Sequence, residues 1–422
     1  MRIRIRTLAF WIAGIFLSLL VALIAVEIFL RVVLPDTRIP DIEIRMPDAK
    51  LGYTIIPGAS LGAGYRSDAN GFNNDTVPAR ADIVALGDSF TFGENATTDT
   101  TWPADLGRLM HLSVYNMGVG GYGPVQYYAL TEKALSFHPK YVIVGLLLGN
   151  DFFDAYNMVY NGALLDKSFY DHYRVPYVTD AWKGLRSLDF VNDAAQTPGE
   201  FNHEQNIPLN GLRTWLHTHS ALYAFLSDRS YILREKPGLA KPHWLGTTDW
   251  NQTDPDVTLR YDNGEVSTVF WEGRWKLGVD LTNKNIVEGE RLTKELLLAI
   301  KAKVEASGAT FVIMLIPDKE LAYAPLIGEK LEENADFVQN LQNEGALKDM
   351  MLGFCADNRI ACADPLAALT ARLEAGDQLY PKTWDGHPLP PGYQVLANTL
   401  GDVLPADARM PRGRAPGMNG AM

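Results

Sequence analysis

The sequence predicts an α/β fold built on a parallel sheet. Strand-like and helix-like patterns alternate from about residue 81, with the spacing of βαβ units. One of the strand-like runs, "KYVIVGLLLGND", is apolar on both faces, as a central strand of a covered parallel sheet is. After a long interruption the alternation resumes and continues to about residue 404.

The elements follow in order. "ADIVALG" reads as a strand. "TWPADLGRLMH" reads as a helix, with Thr101 as N-cap and Pro103 early in the helix, where proline is tolerated. "SVYNMG" is a strand, "GPVQYYALTEKALSFH" a helix, and "KYVIVGLLLGND" the third strand. The rhythm then stops. From Phe152 to about Asp280 the chain reads as an insertion, residues 152–280, which holds six of the nine tryptophans: Trp182, Trp215, Trp244, Trp250, Trp271 and Trp275. It includes a hairpin, "VTLRYDNGEVSTVF", turning at Asn263-Gly264. Beyond it come a helix, "NIVEGERLTKELLLAIKAKVEASG", and a strand, "ATFVIMLIP". A helix "FVQNLQNEGALKDMMLGFCADN", a strand "RIACAD" and a last helix "PPGYQVLANTLGDVL" complete the unit. Residues 405–422, rich in Pro, Gly, Arg and Met, read as a disordered tail.

Composition bounds the possibilities. The chain has 422 residues, 47% of them hydrophobic, enough to bury a large core without disulfide staples. Its net charge of -12 argues against nucleic acid, whose phosphates attract basic surfaces. At the N-terminus, Arg2, Arg4 and Arg6 precede an uncharged, mostly apolar run from Leu8 to Val26. That run has the length of a membrane span, and the arginines place its N-terminal side in the cytoplasm. A cleaved signal would have a shorter apolar region and an A-x-A-like site; here the run continues into "EIFLRVV". The expectation is therefore an uncleaved anchor over residues 1–35, contacting the membrane through residues 8–34, with the rest of the chain on the periplasmic or extracellular side. Glu27 and Arg31, four apart on one helical face, read as membrane-edge residues. Residues 36–80 read as a membrane-proximal connector packing on the main domain, residues 81–404.

The chemistry centres on "IVALGDSFTFGEN", Ile83 to Asn95. Serine is a weak nucleophile until a base activates it. A serine at a strand-to-helix turn sits at the carboxyl edge of the sheet, where open α/β folds bind ligands, and the N–H groups opening the helix face any developing oxyanion. Ser89 has that position. The motif is not G-x-S-x-G, because Thr91 stands where the second glycine would be, which argues against the nucleophile elbow of the α/β hydrolases. Three further features support Ser89. "YNMGVGGYGP" places Gly118, Gly120 and Gly121 after the second strand. "LLLGND" ends the third strand on Asn150, an amide donor. "TWDGHPLPPGY" brings Asp385 and His387, two apart in an extended loop and so on one side of it.

Ser89, Gly121, Asn150 and His387, in that order, resemble the four marks of the GDSL or SGNH hydrolase superfamily. "GDSFTFGENATTDTTWP" and "DGHPLPPGYQVLA" carry the resemblance most specifically, and it spans roughly Asp82 to Leu400 apart from the insertion. It implies a flavodoxin-like α/β/α sandwich and a serine esterase. Ser89 would be nucleophile, His387 general base and then acid, and Asp385 its orienting partner. The Ser89 and Gly121 backbone N–H groups and the Asn150 side chain would form the oxyanion hole. No metal or organic cofactor is implied. The substrate would be an ester on a lipid, carbohydrate or small molecule. The superfamily's commonest spacing is Asp-x-x-His, whereas this chain has Asp385-x-His387. That shorter spacing resembles branches containing O-acetyltransferases of exopolysaccharides. A transferase with the same acyl-enzyme is therefore an alternative, and a non-catalytic envelope scaffold is another.

Other residues are weaker candidates. His217 and His219 form an H-x-H pair, too few ligands for zinc. The insertion's tryptophans read as self-packing rather than as sugar-stacking. Asp151 and Asp154 read as residues that fix the loop after Asn150. Cys355 and Cys362, the only cysteines, are either a disulfide, which an exported compartment permits, or two inert buried thiols.

Overall fold

The computed structural model describes residues 2–33, 45–58, 67–161, 181–187, 190, 220, 222–223, 259–270, 278–328 and 334–405. His217, His219, five of the insertion's tryptophans (all but Trp182) and the tail from residue 406 lie outside the described residues, as do 36–44 and 59–66 of the connector.

The chain opens with α1, Arg2–Val33. Its described apolar side chains, such as Phe10, Ile15, Phe16, Leu23 and Phe29, are exposed. Among the described residues, no helix is long and apolar enough to cross a membrane. Glu27 is more than an edge residue: its carboxylate accepts from Ser220 Oγ at 2.9 Å and Leu222 N at 2.8 Å, tying the helix to the insertion. Strands β1 (Arg45–Asp48) and β2 (Gly52–Ile55) then pair as an antiparallel hairpin. Asp48 closes its turn by accepting from the N–H groups of Lys50 and Leu51, both at 2.8 Å. The connector thus has regular structure that two four-residue strands were too short to announce.

The main unit begins with β3 (Ile83–Gly87), wholly buried. A one-turn helix α2 (Ser89–Phe92), α3 (Trp102–Met110), β4 (Val114–Asn116), α4 (Pro124–Leu135) and β5 (Tyr141–Leu147) follow. As expected, Thr101 caps α3 through its hydroxyl, accepting from Ala104 N, with proline in the first turn. The pattern does not stop at Phe152, however. Asn150 stands at the N-cap position, without a side-chain capping bond, of another helix, α5 (Asp151–Tyr160), which buries Phe152, Ala155, Met158 and Val159 at helical spacing. The break in the alternation therefore starts after this helix, not at Phe152. Near its end lies the hairpin β6 (Leu259–Asp262) and β7 (Ser267–Phe270), with Gly264 at φ 89° in the turn.

After the hairpin come α6 (Lys284–Ala306), β8 (Thr310–Ile316), α7 (Lys319–Ile327), α8 (Ala335–Asp357), β9 (Ala361–Ala363), α9 (Leu366–Glu374) and α10 (Pro390–Val403). Helices α7 and α9, both of nine residues, lie outside the elements expected from the sequence. A disulfide joins Cys355 in α8 to Cys362 in β9. The five strands of the central sheet are all parallel, in the order β4-β3-β5-β8-β9. Numbered along the chain this is 2-1-3-4-5, the flavodoxin-like order. Helices α4, α5 and α6 pack together on the sheet, and α3 packs against α10. In such sheets ligands bind where the strand order reverses. Here that point lies between the carboxyl ends of β3 and β5, which lead directly into Ser89 and Asn150.

Candidate active site

The turn after β3 is built to present a serine. Asp88 caps α2, its carboxylate accepting from Phe90 N at 2.9 Å. Gly93, at φ 95°, stops the helix after one turn. Thr91 explains the missing second glycine. Its side chain fills the space between β3, β5 and the turn after β4, and a Cβ on Gly87, Gly118 or Gly145 would collide with it. The small residues thus lie opposite Thr91 instead of beside the serine.

Ser89 meets the loop before α10. The ring of His387 stands 2.7 Å from Ser89 Oγ through Nε2. Its Nδ1 lies 2.6 Å from Asp385 Oδ1, and the same oxygen accepts from the His387 backbone N–H at 3.0 Å. Asn95 closes the far side, donating to Asp385 Oδ2 at 2.8 Å and to the His387 carbonyl at 3.1 Å. Phe90 packs on the imidazole, with ring centroids 4.7 Å apart. Ser89, His387 and Asp385 therefore form one hydrogen-bonded chain across almost 300 residues of sequence.

A second carboxylate joins them. Glu94 Oε2 lies 3.3 Å from His387 Nδ1. Burial pushes the imidazole pKa down, but the charges of Glu94 and Asp385 and the Asp385 hydrogen bond outweigh it, with Asp88 adding to them, and hold it at about 9. Asp385 moves the opposite way. Burial would raise its pKa, yet His387 and Asn95 together keep it well below the usual carboxylate range. Both carboxylates face Nδ1 and favour the protonated imidazole.

The loop holding this pair is fastened from below by Lys319, which is fully buried. Its ammonium donates to the carbonyls of Val269 and Thr383, each at 2.8 Å, and of Asp385 at 3.0 Å. Burial pulls its pKa to about 8, against the charges of Glu320, Asp385 and Asp318.

The remaining expected residues sit on neighbouring turns of the same sheet edge. Gly121 lies between β4 and α4 at φ 77°, a conformation that favours glycine. Asn150 lies at the end of β5, and its buried Oδ1 has no hydrogen-bond partner among the described residues. Asp151 holds the loop, as expected. Its carboxylate accepts from Leu147 N and from the Tyr127 hydroxyl, both at 2.9 Å, and it does not bond to His387. Burial and the charges of Asp88 and Asp154 push its pKa well above the usual range.

No protein-family model matches the chain, and no curated protein matches it. The chain is similar to several solved structures. One is a lipolytic protein of the G-D-S-L family from Desulfitobacterium hafniense DCB-2, at 14% identity and a TM-score of 0.34, covering 76% of this chain and 98% of that one. Another is an acetylxylan esterase from Geobacillus stearothermophilus, at 13% identity and a TM-score of 0.34, covering 78% and 95%. A third is an alpha/beta hydrolase enzyme from the metagenome of Lake Arreo, Spain, at 14% identity and a TM-score of 0.34, covering 78% and 96%.

Proposed function

We propose that the protein is a serine esterase whose acyl-enzyme forms on Ser89. The observation that carries the reading is the hydrogen-bonded chain from Ser89 through His387 to Asp385. In the forward step His387 Nε2 takes the Ser89 proton as Oγ attacks the ester carbonyl. The imidazolium, stabilised by Asp385, then protonates the leaving alcohol. Water repeats the sequence on the acyl-serine and releases the acid. The Ser89 and Gly121 N–H groups and the Asn150 amide are assigned to the oxyanion, where donors fixed in advance stabilise charge most. The Asp385-x-His387 spacing favours a second reading, in which a sugar hydroxyl replaces water and the protein is an O-acetyltransferase. A scaffold role is disfavoured, because an abandoned site has no reason to keep all three groups in register.

The same proposal includes location. No described helix is long and apolar enough to cross a membrane, but the exposed apolar side chains of α1 and the arginines before them support its attachment to one, with the catalytic unit on the periplasmic or extracellular side. One experiment separates the two parts. In cells whose cytoplasmic membrane is intact and whose outer layers are opened, a charged, impermeant fluorophosphonate should label the full chain at Ser89, and Ser89→Ala should abolish the label. Labelling by a permeant analogue alone would refute the orientation. Labelling that survives Ser89→Ala unchanged would refute the nucleophile.

The site's electrostatics give a pH prediction. His387 acts as base only when neutral, and kcat/KM follows the free enzyme's ionisation. With the imidazole pKa at about 9, kcat/KM should rise roughly tenfold per pH unit from 6 to 8 and level off near 9. Glu94→Gln removes one of the two charges that hold the proton. The rising limb should then move to lower pH and the rate at pH 7 should increase. A limb that stays in place would exclude Glu94 from setting this ionisation.

A further inference from the structure

The hairpin β1–β2 reaches the active site at a single peptide. The buried Tyr53 hydroxyl and the Arg45 guanidinium both donate to the Gly120 carbonyl oxygen, the latter from Nη2 at 3.2 Å. Arg45 also lies over the Tyr53 ring, 4.2 Å from its centroid. The contact is reciprocal. The Tyr122 hydroxyl donates to the Tyr53 carbonyl, and Gln126 Nε2 donates to the Leu51 carbonyl at 3.3 Å. Hairpin and turn are thereby fixed to each other.

Gly120 is also the point where this turn meets the nucleophile. A Cβ built on it would stand 3.6 Å from Ser89 Cβ and 3.0 Å from Glu94 Oε1. The Gly120 carbonyl and the Gly121 N–H are the two ends of one planar trans peptide, so they point in opposite directions. Fixing the oxygen fixes the direction of the N–H. The Gly121 N–H itself bonds to no protein acceptor among the described residues.

We propose that Tyr53 and Arg45 are positioning residues that clamp the Gly120 carbonyl and so aim the Gly121 N–H at the oxyanion formed on Ser89. The inference rests on the esterase reading, since it assigns a task within that reaction. The two donors act through the peptide and need not touch substrate. It also gives the segment directly after α1 a place in catalysis, because without the hairpin the peptide could rotate and present its carbonyl to a developing negative charge.

The test uses the full chain in detergent, p-nitrophenyl acetate as substrate and phenylboronic acid as an inhibitor that forms a tetrahedral anion on serine. Tyr53→Phe keeps the ring beneath Arg45 and deletes one donor; Arg45→Met deletes the other. Each should lower kcat about tenfold, less than the loss from removing an oxyanion donor outright, and the double variant about a hundredfold, the low end of that loss. KM should change less than about twofold, as for an interaction made only in the transition state. The boronate Ki should rise by the same factor as kcat falls. A purely structural role would lower kcat through a smaller active fraction and leave Ki unchanged, and that result would overturn the inference. So would unchanged kcat in the double variant. If Arg45→Met does not fold, Tyr53→Phe alone decides by the same comparison of kcat with Ki. A parent protein that is inactive, or as active as Ser89→Ala, would instead defeat the esterase reading.

Discussion

Asp385→Asn should lower kcat on any ester by about 10⁴-fold, the loss seen when the carboxylate of a serine triad becomes an amide. KM should hardly move, because the carboxylate serves the transition state. In the structure one oxygen of Asp385 faces both His387 Nδ1 and the His387 backbone N–H. This geometry places the imidazole proton on Nδ1 and leaves Nε2 to face Ser89. An asparagine amide in the same place can donate to Nδ1, which stabilises the tautomer with the proton on Nε2. That ring cannot accept the Ser89 proton. The site also contains a competitor, since Glu94 lies 3.3 Å from the same Nδ1. The double variant Asp385→Asn with Glu94→Gln distinguishes them. A loss below tenfold in Asp385→Asn, deepening sharply in the double variant, would transfer the orienting role to Glu94. Asp151 does not compete for this role, because Tyr127 and the Leu147 N–H occupy its carboxylate.

How much of this site was legible in the sequence depended on how far each residue stood from a local signal. Ser89, Asn150, Asp385 and His387 each follow or precede a strong element, a both-faces-apolar strand or a proline-led helix. The pattern put Ser89 and Asn150 at the sheet edge and Asp385 and His387 before the last helix, and the resemblance joined the two pairs. Glu94 and Asn95 lay in the same quoted stretch as Ser89 and still went unnoticed. Nothing in "FGEN" says that the chain bends back toward a loop nearly 300 residues later. Arg45, Tyr53 and Lys319 carried no signal at all, since each acts through a backbone carbonyl, and a carbonyl has no sequence identity. The fold shows the same division. Strands β3, β5 and β8 were visible because their buried runs are almost wholly apolar, and the three-residue β4 and β9 were visible from their place between helices. The hairpin β1–β2 was missed because its strands, of four residues each, are too short to establish a period.

The second large effect should come from Lys319→Met, which keeps much of the side chain's length and deletes its three donors. In the wild type the ammonium joins β7, through Val269, to the loop that bears Asp385, through Thr383 and Asp385 itself. Those acceptors are satisfied by one cation. A buried polar group left unsatisfied costs about 1–3 kcal/mol, and Lys319→Met removes the donor from three carbonyls, so the variant should lose on the order of 3 kcal/mol. Activity should suffer as well. A shift of about 1 Å in a catalytic group costs about a hundredfold, and the loop released here carries both Asp385 and His387. The pH dependence identifies the cause. Lys319 titrates at about 8 in the folded protein and at about 10.4 when unfolded, so between those values the unfolded chain binds more protons. Stability from this group therefore rises with pH across that window, and the gap in Tm between wild type and Lys319→Met should widen between roughly pH 8 and 10. A methionine variant with wild-type Tm and kcat would show that the loop is held by other contacts. A Tm gap constant across that window would mean that Lys319 is not the group whose proton is linked to folding.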